Sequence, residues 1–287
     1  MRAHSNTCHL AIRETTGTDM STPTYTMGYS DEFLQLLTRR SAQASAAHLL
    51  PYLRPGLRLL DFGCGPGTIS VGLAEAVHPG VLHGIDVEAS QIEMAQAAAT
   101  AGGHSNMRLR TGDVTELPFE DDFFDVCHGH AVLTHVPDTH AALAEIRRVL
   151  KSGGLLGSRE VICASSFFEP DVNGLNGAWE TFAELLEANG GHAQIGRQLK
   201  GELQEAGFAE IQLGAEFEYF TTAEDIVFFH GFATGWFCSS DTVEAAVDRS
   251  LAERQQFDGW RRALDLWKEE PGATAAIGWG YALARKP

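Results

Sequence analysis

Short apolar runs alternate with segments of helical spacing along most of the chain. The apolar runs predict strands at 57–61, 81–86, 107–110, 123–128, 154–161, 209–219 and 276–284. Helical periodicity between them predicts helices at 68–77, 89–100, 139–150 and 192–206. Upstream, Ser30 is placed to cap a helix from Asp31 to about Leu50, which Pro51 and Pro55-Gly56 end. Gly102-Gly103 and Gly153-Gly154 read as helix stops. The alternation implies an α/β fold, a doubly wound, mostly parallel, seven-stranded sheet with helices on both faces.

Two segments exceed what such a sheet uses. Residues 162–191 carry Phe167, Phe168, Trp179 and Phe182; residues 221–272 carry Phe228, Phe229, Phe232, Trp236 and Phe237. Both follow the fifth strand, so they are expected to form an inserted helical cap over the carboxyl edge of the sheet. Their rings suit a lid over an apolar molecule, and ordinary helix packing accounts for about half of them. The expected division is a flexible leader at 1–20, an N-terminal helix and ligand-binding core at 21–161, and the rest of the sheet with its cap at 162–287.

The chemistry concentrates at Asp61-Phe62-Gly63-Cys64-Gly65-Pro66-Gly67-Thr68. A strand ends near Asp61, glycines let the backbone turn sharply and approach another molecule, and a helix begins. In a parallel sheet this turn faces the ligand crevice. The spacing departs from the Gly-x-Gly-x-x-Gly of dinucleotide turns. The next two strands run into Asp86 and Asp113. The first acid suits a ribose diol and the second an adenine amine, which describes a nucleoside without a pyrophosphate. Asp61 beside the loop would repel phosphates and tolerate a sulfonium or amino group.

These motifs resemble a known family. Leu60-Asp61-Phe62-Gly63-Cys64-Gly65-Pro66-Gly67 is similar to the first motif of class I S-adenosylmethionine-dependent methyltransferases, and 124–138 resembles their fourth-strand motif. The likeness is greatest to the branch related to ubiquinone and menaquinone biosynthesis, which includes natural-product enzymes. It covers about residues 25 to 215. It implies a Rossmann-like core, S-adenosylmethionine as methyl donor with S-adenosylhomocysteine as product, and no metal. The resemblance places Asp61, Gly63 and Gly65 against the methionine portion, Asp86 on the ribose, and Asp113 with Val114 on the adenine. Val87 and Gln91 would line ribose and adenine, and Tyr25 and Arg40 would close over the methionine carboxylate, where an arginine suits a bidentate contact.

His128, His130 and His135 form the only histidine cluster near this site. No Cys or carboxylate completes a metal set at suitable spacing. His130 follows the fourth strand and is expected to face the methyl donor. His135, expected to open the next helix, is the first candidate for a general base, with His130 second. His128 points to the other face of the strand and is expected to pack in the core.

Composition narrows the partners. A net charge of −17 over 287 residues opposes nucleic-acid binding, and no run is long and apolar enough to span a bilayer. Cys8, Cys64, Cys127, Cys163 and Cys238 show no paired framework, so reduced thiols in the cytoplasm are expected. The expected function is methyl transfer to an O, N or activated C atom of a small, apolar or aromatic molecule. A nicotinamide-dependent oxidoreductase and a non-enzymatic adenine-nucleoside binder are the alternatives.

Overall fold

The computed structural model describes residues 31–287; the leader, Tyr25 and the expected cap Ser30 lie outside them. The expected first helix is in fact two, α1 (Asp31–Thr38) and α2 (Ala42–Ser45), followed by a single 3₁₀ turn at Leu50–Tyr52. Short-range bonds from the Arg39 and Arg40 amides to Leu36 and Leu37 close α1. Ser41 is extended (φ −146°, ψ 162°), and its hydroxyl accepts the Ala44 N–H to start α2. The break presents Arg40 to the interior of the molecule.

The core then follows as β1 (Leu59–Phe62), α3 (Thr68–Val77), β2 (Leu82–Asp86), α4 (Ala89–Ala101), β3 (Met107–Thr111), β4 (Phe124–His130), α5 (Thr139–Val149) and β5 (Leu150–Val161). Next come β6 (Phe167–Glu169), α6 (Gly177–Ala188), α7 (Ile195–Glu205), β7 (Ala209–Phe220), α8 (Ala223–Trp236), α9 (Ser240–Asp248), α10 (Arg254–Trp267) and β8 (Thr274–Arg285). Strands β1 to β5 are parallel in the order β3-β2-β1-β4-β5, and β8 pairs antiparallel with β5, β6 and β7. The order reverses between β1 and β4, the switch point at which an open sheet leaves a crevice.

Among the described residues the sheet has eight strands in place of the expected seven. The additional one, β6, continues the track of β5: Val161 pairs with Trp279 and Phe167 with Ala276 of the same β8. A 3₁₀ turn at Cys163–Ser165 interrupts the track. Gly153 and Gly154 do not stop a helix. They lie inside β5, next to a register irregularity opposite Phe124 and Val126, and α5 ends earlier at Val149. The fourth strand reaches His130, so this residue ends the strand instead of following it. The next helix begins only at Thr139, where the Asp138 side chain accepts the Ala141 N–H, so His135 lies in a turn.

Apolar side chains bury on both faces of the sheet. Leu143, Ile146, Leu199 and Leu203 of α5 and α7 cover one face, and Leu49, Leu73 and Val77 belong to a cluster around α3. A third cluster joins α1 to α6, α8, α9 and α10 and is dominated by Phe and Trp. Cys64, Cys127, Cys163 and Cys238 are free, buried thiols. Among the described residues, no helix is long and apolar enough to cross a membrane.

Candidate functional site

The glycine turn after β1 uses left-handed backbone at Gly63 (φ 64°), Gly65 (φ 52°) and Gly67 (φ 81°). A Cβ on Gly63 would lie 2.4 Å from Val132 Cγ2, so this glycine lets the turns after β1 and β4 touch. A Cβ on Gly65 would meet only Gln91 Oε1, at 3.9 Å, because Gly65 borders open space. That space is a cavity of about 520 Å³ at the switch point.

Every expected site residue within the described range lines this cavity. Asp61, Gly63 and Gly65 come from the first turn, Asp86, Val87 and Gln91 from the end of β2 and the start of α4, and Asp113 and Val114 from the end of β3. His130, His135 and Arg40 line it as well. Asp86 accepts N–H bonds from Gly65 (2.9 Å) and Glu88 (3.0 Å), locking the loop to the strand end. Burial raises its pKa, while these two amides pull it down. Gln91 is 2% exposed and its Oε1 has no hydrogen-bond partner among the described residues. A ligand hydroxyl or amino group would satisfy it, so the cavity fits a nucleoside. Asp113 is exposed and binds its own turn through Thr115. Val87 is 67% exposed on the rim, and Val114 is buried.

Asp61 differs from its expected role in one respect. Both of its carboxylate oxygens already have partners, the Ser70 hydroxyl and Nδ1 of His128, the latter at 2.7 Å. His128 is therefore more than core packing, since this fully buried ring holds the acid of the glycine motif. The sequence placed the two residues on two strands without saying that the strands pair; the structure pairs Asp61 with His128 directly.

Two further residues escaped the sequence reading. Glu160 is fully buried and accepts from the amides of Val132, Leu133 and Thr134 and the hydroxyls of Thr134 and Ser158. It thereby holds the turn that carries His135. Burial raises its pKa, and these donors oppose that shift. Its neighbour Arg159 is 3% exposed and pairs with Glu216 at 2.8 Å. An Arg-Glu pair inside the apolar run 155–162 is the signal that could have found both, because buried charges need dedicated partners.

A second recess, about 60 Å³, lies beyond the histidine wall. It is apolar, with Phe182, Phe232, Trp236 and Trp279 among its lining. Arg40, Ala131 and His135 line both spaces, so the two meet there. Ala131 has φ 55°, a strained conformation for a residue with a Cβ. Burial and the Arg40 charge push the His135 pKa down to about 3, and the same causes, with Arg159, hold His130 well below its usual value. Both rings are neutral at physiological pH. Among the described residues, no group of His, Cys, Asp and Glu is arranged to hold a metal.

A family model described as a methyltransferase domain matches residues 53–207. The chain belongs to this family. It is the family of S-adenosylmethionine-dependent methyltransferases that the glycine and fourth-strand motifs led one to expect, and it favours neither alternative function. The chain is 35% identical over 167 residues to a probable methyltransferase, LtbC, of Aspergillus luteorubrus, covering 55% of this chain and 58% of that one. A demethylmenaquinone methyltransferase of Bacillus velezensis is 33% identical over 135 residues, 47% of this chain and 55% of that protein. The chain thus spans less than two thirds of the length of both relatives. Among solved structures, the 4+2 cyclase SpnF is similar at 27% identity with a TM-score of 0.51, covering 87% of this chain and 85% of that one.

Proposed function

We propose that this protein transfers a methyl group from S-adenosylmethionine to an O, N or activated C atom of a small apolar or aromatic molecule. The observation that carries the reading is the meeting of two unlike spaces at Arg40, Ala131 and His135. The larger has the polar rim a nucleoside needs, and the smaller has the aromatic wall an apolar acceptor needs. Asp86 and Gln91 take the ribose and Asp113 with Val114 the adenine. Gly63 and Gly65 pass the methionine portion, whose carboxylate Arg40 receives. The helices α6 and α8 to α10, with β6, form the cap over the acceptor.

When bound, the donor supplies a methyl whose bond to sulfur breaks, leaving the electron pair on sulfur as the acceptor bond forms. The protein's part is to align these atoms and exclude water. His135 sits at the junction and can orient an acceptor O–H or N–H. With its pKa near 3 it is a weak proton acceptor, so alignment carries more of the rate than base catalysis. The net charge of −17 disfavours nucleic acid as acceptor, and the buried free thiols agree with a cytoplasmic enzyme.

Incubation with labelled S-adenosylmethionine and a library of quinols, phenols and amines, read by mass spectrometry, tests the reading. S-adenosylhomocysteine should form only with an acceptor present, together with a product one methyl heavier. A bound donor that no acceptor converts would reduce the protein to a binder. An acceptor consumed at unchanged mass would indicate cyclisation, the reaction named for SpnF.

A further inference from the structure

The geometry points to Arg159 as a positioning residue that fixes His130 in the tautomer carrying its proton on Nε2. His130 then acts as a hydrogen-bond donor toward an anionic or carbonyl oxygen in the large cavity, and not as a base. The identity of that oxygen rests on the function proposed above; the tautomer does not.

His130 ends β4, is 6% exposed, and packs its ring 4.7 Å from that of Trp279 on β8. Arg159 Nη1 lies 3.5 Å from His130 Nδ1. A guanidinium offers donors and no acceptor, so the nitrogen facing it must present a lone pair. The proton of a neutral ring is therefore on Nε2. Arg159 cannot easily turn away, because its Nε donates to Glu216 of β7 and its guanidinium lies 4.2 Å over the Trp279 ring. The other groups facing His130 are Arg40 beyond α1, His48 after α2 and His128 on its own strand. Arg40 and Arg159 repel a second proton, and His48 is itself held neutral with a pKa of about 3. These surroundings and burial keep His130 uncharged.

The Nε2 atom is buried and has no hydrogen-bond partner among the described residues. A buried donor without an acceptor is costly, and the ring lies on the cavity wall beside Arg40. An oxygen with negative or strong carbonyl character would accept the Nε2 proton. It has two possible sources, the carboxylate of the donor's amino-acid portion and an oxygen of the methyl acceptor.

The test uses the full chain with ¹⁵N-labelled histidine, without donor, and reads the His130 tautomer from long-range ¹H–¹⁵N correlations. From pH 5.5 to 8 the wild type should carry its proton on Nε2. Arg159→Met should give a mixed or titrating ring, and Arg159→Lys should keep more of the wild-type form. Glu216→Gln, which frees Arg159 from a partly exposed residue, should loosen the preference if Arg159→Met does not fold. A proton on Nδ1 or a charged ring in the wild type overturns the inference, as does an unchanged tautomer in both folded variants. Calorimetry on His130→Ala then separates the sources. About tenfold weaker binding of S-adenosylhomocysteine, with 5′-methylthioadenosine unaffected, assigns the donor's carboxylate. Unchanged affinity for both with a raised acceptor KM assigns the acceptor's oxygen. No change in any of these removes the donor role while leaving the methyltransferase reading intact.

Discussion

The cavity at the switch point and the aromatic layer beside it are built by different rules. The cavity is made by strand ends: three left-handed glycines, two acids at successive strand termini, and a buried glutamine at the start of α4. Each has a place fixed by topology and close neighbours in sequence. The aromatic layer draws on α1, β6, α6, α8, α9, α10 and β8, so its side chains meet only through tertiary packing. Some of its rings, such as Phe168, Phe229 and Trp267, are entirely buried, whereas Phe182, Phe232 and Trp236 also face the small recess. If the cavity takes the donor and the recess the acceptor, as proposed, a donor common to many enzymes is read by backbone and strand-end acids. An acceptor particular to one enzyme is read by packing.

The largest expected effect is at Gly65. Its φ of 52° is strained for a β-branched residue, and its missing Cβ faces the cavity. Gly65→Val should weaken S-adenosylmethionine binding by more than about 100-fold while circular dichroism stays native. Normal binding by a folded variant would mean that the cavity is not the donor site. Asp86→Ala comes next, with an expected loss of about 1–3 kcal/mol in calorimetry, the scale of hydrogen bonds to a charged group. Acceptor KM should barely move if the two regions are separate, and an equal change in both would break the comparison.

The same contrast explains what was legible in the sequence. Gly63, Gly65, Asp86 and Asp113 could be placed because turn chemistry and strand termination are local properties. The break before α2 was missed because Ser41 as a cap competes with a helical pattern on both sides, and the packing of α1 against α8 and of α2 against α3 lies outside a short window. The ties of Asp61 to His128 and of Glu160 to the turn at 132–134 depend on strand register and on a turn's shape. Neither is encoded within a short window. The aromatic segments were seen as an excess, but which rings pack and which line the recess follows from helix rotation.

Phe182 sharpens the acceptor side of the comparison. It touches the Trp236 ring at 4.3 Å and lines the recess. Phe182→Leu keeps an apolar group of moderate size and should raise acceptor KM by about 3–10-fold, an effect of about 0.6–1.4 kcal/mol such as a lost aromatic pair gives. Donor affinity should be unchanged. If donor affinity falls in parallel, the layer supports the cavity and is not an acceptor site of its own.

The smallest expected effect lies at the boundary, in the response of His135 to pH. Burial and Arg40 hold its folded pKa near 3, against about 6.5 in an unfolded chain. The ring therefore keeps one charge state from pH 5.5 to 7.5, and kcat/KM for the acceptor should stay within about twofold over that range. Any alkaline rise should follow the acceptor's own pKa when acceptors are exchanged. Stability behaves differently. Because the folded pKa is depressed, the contribution of a neutral His135 is complete above about pH 6.5 and is lost as pH falls toward 3, since only the unfolded chain takes up the proton. The wild-type Tm should thus drop more steeply between pH 6.5 and 4 than that of His135→Asn. An inflection in rate near pH 6.5 that His135→Asn abolishes would restore this residue as a general base. It would also place proton transfer, and not alignment alone, at the point where the two regions meet.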